Sequence, residues 1–216
     1  MLKEEEQKIS DNSSTLIKVI VKASVIKQIQ HLCSIISYVE WSGLLFYSQQ
    51  GTIEKPEEMV ITLEDILPMD KGSVASTEFE YDERYVNYVM GDEKRMDWRH
   101  GMIHSHNNMG VFFSGTDHED LKKNSKAHNY YLSVVVNNKM DMIGKIAFTA
   151  EVVIPKLSAP FYALNEKGEK YFVEKVDYCY KKEKLYTYDC NLEYQIPQNN
   201  FNPDFISAVD YIMNPP

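Results

Sequence analysis

The sequence predicts an α/β protein with a mixed sheet. Helix-period and strand-period segments alternate between residues 15 and 150, the pattern of a sheet covered by helices. Asn137-Asn138-Lys139 joins two apolar runs as a hairpin, which forces at least one antiparallel pair. Beyond Pro155 the composition changes: eight of the fifteen tyrosines follow Pro160, in alternating segments that suggest further short strands. The expected division is therefore a polar, disordered tail over 1–14, a principal domain over 15–155 and a Tyr-rich extension over 156–216. At 216 residues such a chain buries roughly 70% of the surface of its unfolded form, so it needs no disulfide or structural metal to hold a core.

Each element has a local reason. Leu16 to Val21 is a β-branched run that reads as a strand. From Ser24 to Val39 the residues Val25, Ile29, Leu32, Cys33 and Ile36 recur at three- and four-residue steps, giving a helix with one buried face. Gly43 to Tyr47 is a continuous apolar run that reads as a buried strand, and Met59 to Leu67 reads as another, stopping at Pro68. Asp82 is a suitable N-cap for a helix through Met90, with Gly91 as terminator. Trp98 to His106 reads as a strand on which 100, 104 and 106 share one side, and Ser105 the other. A helix follows from about Ser114 to Asn124, then strands over Tyr130 to Val136 and Met142 to Thr149.

Composition excludes several classes. A net charge of -9 and the lack of a Lys or Arg cluster argue against a nucleic-acid partner. Cys33, Cys179 and Cys190 form no C-x-x-C pair, so neither a disulfide framework nor a zinc ribbon is suggested, and Cys33 reads as a core thiol. The N-terminal tract lacks the apolar core of a signal peptide, and no segment has the apolar length of a membrane span. A cytoplasmic protein without a membrane partner is expected.

The chemistry lies in His104-Ser105-His106, followed after seven residues by Ser114-Gly115-Thr116-Asp117. Histidines at i and i+2 on a strand project from one face, where both imidazoles can reach one ion. Asp117, in the first turn of the next helix, could supply a third ligand. Two histidines and a carboxylate with an open fourth position suit catalytic zinc, whose bound water has a pKa near 7. Each piece has a plainer reading. A lone H-x-H on a strand is more often a packed pair, Ser114-x-x-Asp117 is a helix start in its own right, and a Glu such as Glu40 between elements is ordinarily an exposed loop residue. Cap and ligand are compatible, because one carboxylate can serve both.

Together, Glu40-x-x-Gly43-x-Leu45 and His104-x-His106-x7-Ser114-x-x-Asp117 resemble the full signature of the JAMM metalloproteases, the catalytic branch of the JAB1/MPN/Mov34 superfamily. The resemblance covers about residues 15 to 150, and the loop between His106 and Ser114 looks closer to bacterial or phage members. It implies an α-β-α sandwich related to the cytidine deaminase fold. It implies zinc on His104, His106 and Asp117, Glu40 as general base on the attacking water, and Ser114 facing the substrate carbonyl oxygen. It further implies a protein or peptide substrate, with a ubiquitin-like C-terminal tail as one class. Two departures stand out. Many members have Pro after the second histidine, whereas here Asn107 stands, which predicts a more flexible loop. Thirteen residues separate Asp117 from Tyr131, none of them Cys, so the second-zinc insertion of linkage-selective members does not lie there.

Alternatives fall on the same residues. Ser105 cannot be a nucleophile for the histidines because strand parity points it away. A zinc deaminase needs H-x-E and P-C-x-x-C, which the sequence lacks. His118 reads as an exposed first-turn residue, His100 as too distant to share the ion, and His31 and His128 as lacking any constellation. A non-catalytic scaffold and a metal amidohydrolase acting on a non-protein amide remain the rival functions. Oligomeric state is not legible.

Overall fold

The computed structural model describes residues 15–53, 55–155, 159–176, 179–195 and 203–214; the expected 1–14 tail lies outside them. The mixed α/β class is borne out. The first strands and helix are β1 (Ile17–Val21), α1 (Ala23–Ile35), β2 (Trp41–Gln50) and β3 (Val60–Lys71). They are followed by α2 (Glu83–Met90), the single turn α3 (Glu93–Met96), β4 (Arg99–Ser105), α4 (Gly115–Ala127), β5 (Tyr131–Val136) and β6 (Met142–Pro155). The last elements are β7 (Ala159–Leu164), β8 (Lys170–Val176), β9 (Cys179–Tyr194) and α5 (Pro203–Met213).

Seven strands run in the order β1-β3-β2-β4-β5-β6-β9, and β9 pairs in parallel with β1, so the sheet closes. The predicted hairpin is the antiparallel β5–β6 pair, and β4–β5 and β1–β3 are parallel. Closure by β9 was not legible locally, because the partner of β1 lies about 170 residues away along the chain. No helix among the described residues is long and apolar enough to cross a membrane.

By contacts the chain divides into two units: one runs to Phe148 and resumes at Thr187, the other is Thr149–Tyr186. The smaller unit holds β7 and β8 as a two-stranded antiparallel sheet, with Tyr162 and Phe172 in edge contact at 6.0 Å.

The larger unit is built on buried strands. All six residues of β5 are buried, as are Trp41 through Tyr47 of β2, which accounts for their unbroken apolar character. The helix-period prediction holds in α1, where Val25, Ile29 and Leu32 are fully buried, each contributing about 1.5–3 kcal/mol. The helix stops earlier than predicted, with Ile36 as its C-cap. Over β2 and β3, Tyr88 of α2 and Ala208 of α5 pack on Leu44, Phe46, Leu67 and Met69.

The predicted stop at Pro68 fails. Strand β3 continues to Lys71, because a bulge places Gly43 opposite Pro68 and Ser42 opposite Asp70. Proline is tolerated at such irregularities, where no ladder hydrogen bond is demanded of it. Gly43 permits the close approach: a Cβ there would lie 2.4 Å from the Leu67 carbonyl oxygen.

Candidate metal centre

The site is assembled where β2, β4 and the start of α4 meet. In the antiparallel β2–β4 ladder Ser42 faces His104. Extending that register by two residues, past Trp41 opposite Ser105, brings Glu40 beside His106, and alternation puts the side chains at 40, 104 and 106 on one side. Ser105 points the other way, as parity predicted, and its hydroxyl accepts a hydrogen bond from the Trp41 N–H at 3.0 Å. That bond locks the strand carrying His104 to the residue following Glu40.

The His104 and His106 Nε2 atoms are 3.2 Å apart, and His104 Nε2 is 3.2 Å from Asp117 Oδ1. The donor atoms of His104, His106 and Asp117 all lie within 4.8 Å of one another. Donors about 2.0–2.1 Å from a tetrahedral ion are about 3.3 Å apart, so the cluster has the spacing of a metal triad. His106 Nδ1 lies 3.2 Å from the Gly110 carbonyl, whose acceptance of a proton there leaves Nε2 as a lone pair aimed at the cluster. Three electron-rich atoms converging in a buried place repel unless a proton or cation joins them. Burial holds the His104 imidazole down to about 4, with Asp117 opposing and His106 adding, so it stays neutral and able to ligate at ordinary pH.

Helix α4 supplies the carboxylate through its cap. Ser114 Oγ accepts from the Asp117 N–H at 3.2 Å, and Asp117 Oδ2 accepts from the Ser114 N–H at 2.6 Å, a complete capping box. Asp117 thus uses one oxygen to fix the helix start and presents the other to His104. Ser114 likewise accepts with its oxygen while its proton is left to turn into the cavity it lines.

Glu40 is 6% exposed and lines the same cavity of about 190 Å³. Burial raises its carboxyl above the usual range, His106 opposing and Asp117 adding. Its backbone is clamped on the far side by residues 72–73: the Glu40 N–H donates to Ser73 O, and Gly72 N–H donates to Glu40 O. This clamp was missed in the sequence, as was the reach of the same segment over the cavity through Ala75, Ser76 and Thr77. Nothing in its composition marks it.

The loop after His106, expected to be looser without a proline, carries a set of hydrogen bonds of its own. Asn107 adopts φ +39, which asparagine tolerates and proline, fixed near -65°, cannot. Its side chain donates to Val74 O at 2.9 Å and accepts from the Asn108 N–H. The Asn137 amide holds Met109 O at 3.0 Å, and the Asn138 N–H holds Asn107 O at 2.7 Å. Asn107, Asn137 and Asn138 thus anchor this loop by hydrogen bonds, and Phe112 packs edge-on against the His106 ring at 4.8 Å.

The remaining histidines divide. His118 is exposed beside Phe113, as expected. His100 is not part of the triad, but His128, expected to stand alone, packs against it at 4.6 Å among Tyr81, Tyr85 and Tyr131. His31 lies edge-on to Phe205 at 6.2 Å.

No protein-family model and no curated protein matches this chain.

Proposed function

We propose that this chain is a zinc-dependent hydrolase of peptide or isopeptide bonds, of JAMM type and with the JAB1/MPN fold. One observation carries the reading: His104, His106 and Asp117, from a strand end and a capped helix, bring their donor atoms within 4.8 Å of one another in a cavity also lined by Glu40 and Ser114. The donor set suits zinc, which when bound polarises a carbonyl and makes water a nucleophile near neutral pH.

The residues divide the remaining work. Glu40, buried beside His106, takes a proton from the attacking water and returns it to the departing nitrogen, for which a raised carboxyl is well matched. Ser114, its oxygen already engaged with Asp117, donates its proton to the oxygen on which charge develops. The capping box holds Ser114 and Asp117 in place, and the backbone bonds to residues 72–73 hold Glu40, so orientation costs no rearrangement during turnover.

A protein or peptide substrate is supported by the space beside the cluster. The metal cavity and a neighbouring one of about 270 Å³ share Thr77, Met102 and Asp120 among their walls, forming a trough between α4 and residues 77–81. Along that segment Thr77 and Phe79 are half-buried while Glu78 and Glu80 are exposed. The Glu78 N–H donates to Asp70 Oδ2 at 3.2 Å, but residues 78–80 make no backbone-to-backbone hydrogen bond among the described residues, which leaves the groups at 79 and 80 for a substrate chain such as a ubiquitin-like tail to pair with.

Elemental analysis of protein prepared without added metal, followed by chelator inhibition and zinc rescue of cleavage, tests this. Glu40→Gln is expected to keep zinc and lower turnover by ~10²–10⁴. A scaffold would carry no stoichiometric zinc and would tolerate Glu40→Gln, and an amidohydrolase on non-protein amides would cleave small conjugates but no peptide or ubiquitin-like fusion.

A further inference from the structure

A separate cavity of about 460 Å³ is lined by Phe113 and His118 at the start of α4 and by residues of β6 and β9. It is continuous in sequence with the metal centre at two points. Phe113 in its wall sits between Phe112, which packs on the His106 ring, and Ser114; His118 at its rim follows Asp117. Residues 112–118 thus serve both cavities in alternation: Phe112, Ser114 and Asp117 line the one with the His104–His106–Asp117 cluster, and Phe113 and His118 line this one.

The floor is shaped by a missing side chain. Gly144, near the start of β6, faces Cys190 and Leu192 of β9: a Cβ on it would sit 3.2 Å from the Cys190 Cβ and 3.6 Å from Leu192 Cδ2. Glycine here leaves a hollow backed by apolar atoms. The charged groups at the rim are already satisfied, since Lys145 is paired with Asp189 and its ammonium lies 5.6 Å from the centre of the Phe113 ring. Such a site combines an apolar patch at Cys190 and Leu192, the Phe113 ring and a polar rim whose Lys145 and Asp189 charges are already paired with each other.

We propose that this cavity is a specificity subsite of the same active centre, receiving a large apolar side chain of the substrate within two residues of the scissile bond. The proposal rests on the hydrolase reading above and adds to it a sequence preference set by Gly144, Leu192 and Phe113.

The full-length, zinc-loaded protein is incubated with a peptide library made from a proteome digest, and the new ends are read by mass spectrometry. Leu, Met and Phe should be enriched ~10-fold at one position near the cut, a size of discrimination that apolar pockets supply. Gly144→Ala, which fills the hollow, and Leu192→Gln, which makes its floor polar, should each abolish that enrichment. Each should raise KM ~10-fold for a Phe-bearing peptide while leaving kcat within about 2-fold. Should Gly144→Ala fail to fold, as judged by thermal melting, Leu192→Gln decides alone. Chelator-sensitive cleavage without an apolar preference, or with one that the folded variants retain, overturns the subsite and leaves the hydrolase standing. Absence of any chelator-sensitive peptide cleavage overturns both.

Discussion

His100 and His104 project from the same side of β4, four residues apart, into very different surroundings. His104 meets His106 and the Asp117 carboxylate, and its Nδ1 has no hydrogen-bond partner among the described residues. His100 meets His128 and the rings of Tyr81 and Tyr85; its Nε2 is likewise without a hydrogen-bond partner, and no carboxylate pairs with it, among the described residues. Burial pushes both imidazoles down to about 4. A depressed pKa therefore does not mark the candidate metal site; the distinguishing feature is convergence with an anionic oxygen. In the first group, neutral nitrogens and a carboxylate leave a place for a cation. In the second, aromatic edges fill that place.

The sharpest way to break the contrast is to remove a donor. His104→Ala or Asp117→Ala should lower zinc affinity more than ~10²-fold, beyond what loss of a supporting hydrogen bond costs, and bring cleavage to background. His100→Ala should leave zinc content unchanged in the same elemental analysis.

Ser114→Ala tests whether one residue serves both the helix and the chemistry. Turnover should drop ~10²–10³-fold from loss of the oxyanion donor, and chemical denaturation should show a loss of about 1 kcal/mol from the missing cap. A stability loss with unchanged turnover would confine Ser114 to the capping role.

The aromatic-bound histidine predicts a pH effect of its own. His100 is neutral in the folded protein down to about 4, whereas an unfolded His takes up its proton near 6.5. The unfolded state binds more protons between these values, so this contribution is fully present above pH 6.5 and is lost as pH falls toward 4. Allowing for partial exposure it amounts to about 2 kcal/mol. Denaturation midpoints of His100→Phe should vary less with pH across that window than those of the parent; equal slopes would remove His100 as the source. The smallest effect is expected from His118→Ala, an exposed residue beside Phe113, which should leave zinc binding intact and shift stability by less than about 0.5 kcal/mol.

Much of the fold was readable because it rests on local pattern. The continuous apolar runs of β2 and β5, the two-residue parity of β4, the helical period of α1 and the Ser114 cap appear in the structure close to their expected places. Helix α5 went unread although Pro203 at its start and Phe205, Ala208, Val209 and Ile212 at helical spacing mark it. Pro68 misled because its effect depends on the bulge opposite Gly43, which belongs to another strand.

The candidate site divides in the same way. Strand parity and helix-start chemistry placed His104 and His106 on one face, Ser105 on the other and Asp117 in a capped first turn, since these follow from periods of two and from side-chain-to-backbone hydrogen bonds within a few residues. Strand register and packing decided that Glu40 lies beside His106, that residues 72–77 cover the cavity and that His128 joins His100. Each of these depends on segments distant in sequence being brought together by burial of the β2 and β5 strands. The physical reason is range: dihedral preferences and caps act over one turn, whereas a shared cavity exists only when strands from separate parts of the chain have closed upon one another.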